Sequence, residues 1–214
     1  MKLNLSEFES RFRSGKLRLA FIGMSNIGKS YTATRLAERF DFELVEVDKL
    51  IWEELGHDDM ASFAEWQGQP YSEGYSDREK RSIALETSAT RKALSLNKRN
   101  TILDTTGSVI YTGDDVLQLL CETHYVVYIQ ASEAALKRLK VQYFQQPKPL
   151  IWKNYFDQNL GQTDQDAVLE SYPKLLEARA ESYEALADAV LSSEYILNPE
   201  NTVEDIFKKL KPSL

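Results

Sequence analysis

The sequence predicts an α/β protein with a central five-stranded parallel sheet flanked by helices, a helical excursion on one side and a candidate lid. Three observations carry this expectation. Short apolar runs of strand length alternate with helix-patterned stretches. A glycine-bounded loop joins the first of these runs to a helix. Hydrophobic residues at 43% and charged residues at 28% match the usage of a chain that buries a core. At 214 residues, one domain over 1–214 is expected.

The elements follow in order. The opening MKLNLSEFESRFRSGK lacks an apolar signal core and reads as a short helix with Ser6 as N-cap. Leu17 to Ile22 is the first strand and leads through Gly23 into the helical stretch IGKSYTATRLAERF. Glu43 to Val47, Thr101 to Asp104 and Tyr125 to Gln130 are further strands, with Tyr195 to Leu197 as the last candidate. Residues 57–95 form the excursion and its helix, His57 to Asp77 being rich in Gly, Ser, Asp and aromatics. Residues 144–165, with their Pro and Gly, are the lid candidate.

Composition narrows the function classes. A net charge of −7 disfavours a nucleic-acid-coating surface, which needs clustered Lys and Arg, but leaves room for a small anion in a local positive field. No run reaches the roughly 18 apolar residues of a membrane span. The expectation is a soluble, cytoplasmic protein, monomeric or weakly dimeric, with no nucleic-acid or membrane partner. Cys121, the lone cysteine, is expected as buried filler, and His57 with His124 makes no zinc site.

Gly23, Met24, Ser25, Asn26, Ile27, Gly28, Lys29 and Ser30 complete GxxxxGKS, with a strand before and a helix after. The glycines let backbone N–H groups turn inward around phosphates, and the helix N-terminus adds positive potential. Lys29 is placed to reach the β and γ phosphates of ATP and Ser30 to ligate Mg2+, with Tyr31 next in the loop's helix. Asp104 and Glu46 both end strands, and either suits the carboxylate role near the metal. The stretch Asn97 to Asn100 lacks the Asp of a GTPase base-reading motif, which tells against GTP. Asp48, just past the second strand, suits a base for an acceptor hydroxyl or, equally, a helix cap.

With these residues in place, the chain resembles the shikimate kinase family, P-loop kinases related to nucleoside monophosphate kinases. The likeness runs from about Leu17 to the end, through VDKLIWEELG, ILDTTGS, VVYIQAS, KPLI and LLEARAESYEALADAVL followed by LNPENTVEDI. It implies ATP and Mg2+ as cofactors and phosphorylation of a hydroxyl on a small, carboxylate-bearing acceptor, shikimate foremost. It also implies Asp48 as acceptor-binding base, Arg179 as the acceptor's carboxylate partner, Arg138 packing on adenine, and Asn198 and Pro199 in the adenine-side loop. Read alone, Arg179 is better taken as a helix-surface charge beside Glu177 or Glu181, and the resemblance reverses that preference.

The chain departs from the family at several points. Three glycines become Thr106, Gly107 and Ser108, which by added bulk should narrow or alter the acceptor wall. Ile83 stands where a second acceptor arginine falls, with Arg78 and Arg81 off register. The lid arginine becomes Lys148 and the first metal-side aspartate becomes Glu46. Trp52, Trp66 and Trp152 line an acceptor pocket or pack the core. Alternative readings are a nucleotide or sugar kinase, and a catalytically weakened nucleotide-binding regulator.

Overall fold

The structure is a computed structural model describing residues 2–56, 60–96, 99–145 and 149–213, with the Met60 side chain excepted. His57, Asn97, Lys98 and Lys148, expected in the lid candidate, therefore lie outside the described residues. Element order is α1 (Leu5–Arg13), β1 (Arg18–Ile22), α2 (Lys29–Phe40), β2 (Glu43–Glu46), α3 (Val47–Leu55), α4 (Met60–Gln67), α5 (Tyr75–Ser95) and β3 (Thr101–Asp104). A 3-10 turn over Val109–Tyr111 leads to α6 (Asp114–Thr123), β4 (Tyr125–Gln130), α7 (Glu133–Gln145), α8 (Asp164–Leu186), β5 (Ala189–Ser192), α9 (Ser193–Leu197) and α10 (Val203–Leu210).

The five strands form one parallel sheet in the order β2-β3-β1-β4-β5. The central strands are buried on both faces, so they read as continuous apolar runs rather than alternating ones. Consecutive parallel strands need helical crossovers, and these supply the flanking layers.

Two of the sequence expectations are corrected. The fifth strand is Ala189–Ser192, and Tyr195 to Leu197 lies in α9. As an edge strand, β5 is only partly buried and carries a weak apolar pattern. Its start is fixed by Asp188, whose carboxylate accepts from the Val126 amide at 2.9 Å while its own N–H donates to the Val126 carbonyl at 2.8 Å. The Ser192 hydroxyl then accepts from the Glu194 amide and turns the chain into a helix. At the other end, the cap of α1 is Asn4 rather than Ser6: Asn4 and Glu7 exchange two 2.9 Å bonds in a reciprocal capping box.

Aromatic residues join distant elements. Phe12 and Phe207 pack at 5.0 Å, and Phe40 stacks on Phe207 at 4.4 Å, tying α1, α2 and α10 together. A second group, Tyr143, Trp152 and Tyr172, ties the segment after residue 148 to α7 and α8. Trp152 is 1% exposed and belongs to the core, as does the stacked Phe63–Trp66 pair in part. Cys121 is half-buried against the core, and burial raises its thiol pKa.

Candidate active site

The C-terminal ends of β1, β2 and β3 open onto a cleft of about 960 Å3. Its lining includes Ser25, Asn26, Gly28, Lys29, Ser30 and Tyr31 from the glycine-bounded loop and the start of α2. Gly23 opens that loop at φ +135°, and a Cβ there would stand 2.6 Å from the Ile129 carbonyl oxygen. Ile27 is fully buried beneath the loop. Lys29 is buried, and its Nζ donates to the carbonyls of Gly23 at 3.0 Å and Met24 at 2.9 Å. The loop therefore holds its own cation at the first turn of α2, facing the sheet edge.

Across from the loop, Asp104 ends β3 and is 6% exposed. One carboxylate oxygen, Oδ1, is buried without a hydrogen-bond partner. Burial pushes the Asp104 pKa up, opposed by the Lys29 charge and the Ser30 hydroxyl. Glu46 also lines the cleft, but its carboxylate is ion-paired with Lys49 on the same helical turn. Of the two strand-end carboxylates, Asp104 is the one facing Lys29 and Ser30.

Asp48 and Trp52 follow on α3, four residues apart and so on one face, and both line the cleft. The N-cap of α3 is Glu46, so Asp48 stands inside the first turn and does not occupy the cap. Opposite them α7 contributes Arg138, Gln142 and Gln145. Arg138 Nη2 lies 3.4 Å from the Asn26 carbonyl. Leu197 closes the far side, followed by exposed Asn198 and Pro199, the Asn198 Oδ1 accepting from the Glu200 amide.

The wall beside the loop is built from Thr106, Gly107 and Ser108. The Thr106 and Ser108 hydroxyls donate to the two carboxylate oxygens of Glu86 on α5. Burial pushes the Glu86 pKa up to about 7 against those two bonds, with Asp48 raising it further and Arg179 lowering it. Gly107 packs on the phosphate-side loop so closely that a Cβ would fall 2.7 Å from Ser25 Oγ and 3.0 Å from the Ser25 amide nitrogen. Its carbonyl accepts from Tyr183 and, at 3.0 Å, from Arg179 Nη1.

Arg179 is 2% exposed. Its Nη2 donates to the Ile151 carbonyl at 2.8 Å, its guanidinium carbon sits 5.3 Å from the Tyr111 ring centroid, and Nε is buried without a partner. It makes no pair with Glu177 or Glu181 on the helix surface. Nearby, Gln67 and Tyr75 donate to the Leu150 carbonyl, and Glu79 accepts from the Trp152 and Lys153 amides. Arg78 donates to the Gln67 and Glu73 carbonyls, and Arg81 lies over Trp66.

Glu86, Glu79 and Gln142 are not evident from motif reading, whereas Trp52, one of the three tryptophans read as pocket or core, lines the cleft. A signal exists for the two glutamates: they lie seven apart in α5, on the face that also buries Ser82, Ala89 and Ala93. A charge recurring on an apolar face needs internal partners.

The strand order, with the phosphate-loop pattern between the central strand and its helix, defines a P-loop kinase fold. The shikimate kinase family profile matches residues 25–211. The chain belongs to the shikimate kinase family, as a divergent member. Among solved structures, it is similar to the shikimate kinase of Acinetobacter baumannii, in complex with shikimate, at 18% identity and TM-score 0.61, covering 93% of this chain and 94% of that one. Shikimate kinases of Aquifex aeolicus (18%, TM-score 0.59) and Bacteroides thetaiotaomicron (15%, TM-score 0.58) each match over 91% of this chain and 96% of theirs. At these identities the likeness establishes the fold. No curated protein matches by sequence. Family and fold are those of small-molecule kinases, and no helix among the described residues is long and apolar enough to cross a membrane.

Proposed function

We propose that this protein transfers the terminal phosphoryl group of ATP to a hydroxyl of a small molecule. The observation that carries this reading is one cleft lined by Lys29, Ser30, Asp104 and Asp48. Bound magnesium-ATP supplies the transferable group and neutralises charge on its oxygens. The buried, unpartnered Asp104 Oδ1 beside the Ser30 hydroxyl fits such an ion, and these two residues would hold it. Among the described residues no cluster of three or more His, Cys, Asp or Glu could hold a metal unaided, which suits a cation bound chiefly through phosphate oxygens.

The loop from Gly23 to Ser30 binds the phosphates through its amides, and Lys29 exchanges its two carbonyl partners for phosphate oxygens. Asp48 accepts the proton of the acceptor hydroxyl. Arg138 and Leu197 enclose the base side, with Asn198 and Pro199 beyond. By the family resemblance, the role of a cation on the transferring group falls to Lys148. Leu150 to Lys153 are held by Gln67, Tyr75, Glu79 and Arg179.

Shikimate heads the acceptor panel by family membership. The test is magnesium- and ATP-dependent ADP release with and without shikimate, then other hydroxy acids, sugars and nucleosides. Asp48→Asn should retain ATP binding and lose acceptor-dependent ADP release; unchanged release would remove Asp48 from the base role. ATP binding with no release across the panel would favour a nucleotide-binding regulator on this fold.

A further inference from the structure

Of the large hydrophobic side chains left in solvent among the described residues, Tyr31, 53% exposed, and Leu197, 40% exposed, stand in the active-site cleft. Both flank the phosphate loop. Tyr31 directly follows Ser30 in the chain, and Leu197 approaches the loop so closely that a Cβ on Gly28 would stand 3.2 Å from its Cδ2. Arg138 of α7 borders the same cleft, its Nη2 3.4 Å from the Asn26 carbonyl. An exposed apolar pair beside a cradle for phosphates suits a ligand that joins phosphates to a flat ring. Lys29 and Ser30 answer only the phosphates, so they cannot tell one nucleotide from another.

The direction of Tyr31 follows from its helix. Tyr31, Arg35 and Arg39 are spaced by four residues on α2 and share one face. Arg39 is ion-paired with Glu204 on α10, so this face looks toward α10 and the end of α9, where Leu197 lies. The guanidinium carbon of Arg35 sits 5.1 Å from the Tyr31 ring centroid, a cation–π contact that holds the ring in place while leaving about half of the residue in solvent. A fixed, accessible phenol one residue past the phosphate loop, with an aliphatic side chain on the facing element, forms a slot for a planar group. Every nucleic-acid base has a π face for such a ring, and a purine covers more of it than a pyrimidine does.

We infer that Tyr31 is the residue that selects the nucleotide: its ring, backed by Arg35, stacks on the base of a purine nucleoside triphosphate, and Leu197 covers the base from the other side. This rests on the nucleotide-binding half of the kinase reading above. The experiment is titration calorimetry of the full chain with magnesium-ATP, magnesium-CTP and inorganic tripolyphosphate, which carries the phosphates without a base. Wild type should bind ATP about tenfold or more tighter than CTP or tripolyphosphate, the scale of one base–aromatic stack. Tyr31→Ala should lose about tenfold in ATP affinity, bring ATP and CTP close together and leave tripolyphosphate affinity unchanged, whereas Tyr31→Phe, which keeps the ring, retains the wild-type order. Tyr31 lies outside the core, and an unchanged thermal midpoint of the alanine variant verifies that the fold is kept. A wild type that binds tripolyphosphate as tightly as ATP overturns the inference without any variant. Equal losses for ATP and tripolyphosphate in Tyr31→Ala overturn it too, because the ring would then act on the loop and not on the base, as does unchanged ATP affinity. ATP selectivity that depends on Tyr31 with no ADP release for any acceptor supports the inference and refutes the transfer reaction; a chain that binds neither ATP nor tripolyphosphate refutes both.

Discussion

Replacing Glu86 by Gln tests whether the acceptor-side wall is built on a carboxylate that the fold holds against its ionisation. The ordinary value for this carboxyl is 4.5, and burial pushes it to about 7 in the folded protein. Because the folded value is the higher one, the folded chain binds more protons than the unfolded chain between those limits. The favourable contribution is complete below about pH 4.5 and is lost as pH rises through about 7. The separation from 4.5 to about 7, at about 1.4 kcal/mol per pH unit, comes to about 3 kcal/mol. Gln cannot ionise, yet keeps an oxygen for one of the two hydroxyls, and the other can turn to accept from its amide. The variant should therefore gain on the wild type by up to about 3 kcal/mol between pH 4.5 and pH 8. Urea unfolding midpoints at pH 5, 6, 7 and 8, compared between the two proteins, measure this directly. A difference that stays flat with pH would refute the argument, because the cost would then not arise from charging Glu86.

Three further predictions address the same architecture. Gly107→Ala places a methyl 2.7 Å from Ser25 Oγ and 3.0 Å from the Ser25 amide nitrogen. It should weaken ATP binding by titration calorimetry as well as lower stability by about 1–3 kcal/mol, the usual cost of overpacking; wild-type affinity would mean that the loop yields freely. Lys29→Ala should lower turnover on the order of a hundredfold or more, as for loss of a preorganised donor to developing charge, and comparable turnover would remove Lys29 from that role. Arg179→Lys should lower the thermal midpoint, since one ammonium cannot bond the Gly107 and Ile151 carbonyls and lie over Tyr111 with a guanidinium's geometry. A large increase in acceptor KM without loss of stability would assign Arg179 a direct acceptor contact.

The phosphate side of the cleft is legible in the sequence because its physics is local. Gly23 to Ser30 forms turn and helix start within a few residues of the strand that precedes it. The acceptor side is assembled from residues far apart. Arg179 meets Gly107 across 72 positions and Glu79 meets Trp152 across 73. Spacing along the chain places Arg179 on a helix but says nothing of which carbonyls it satisfies. The sheet divides in the same way. Buried central strands announce themselves as apolar runs, whereas the edge strand Ala189–Ser192 is set by the pairing of Asp188 with Val126, a tertiary contact. The three tryptophans illustrate the limit of composition: Trp152 packs the core, Trp66 stacks on Phe63, and Trp52 faces the cleft.

The exchange of glycines for Thr106 and Ser108 reads in sequence as bulk pushed into an acceptor site. In the fold the added hydroxyls are turned away, onto the two oxygens of Glu86. A buried carboxylate needs donors, and the two new side chains provide them, so the substitutions and the glutamate form one unit. The residue between them has no such latitude, because its Cα lies against Ser25 of the phosphate-side loop. Gly107 also presents its carbonyl to Arg179 and Tyr183. One tripeptide thus connects α5, α8 and the phosphate loop.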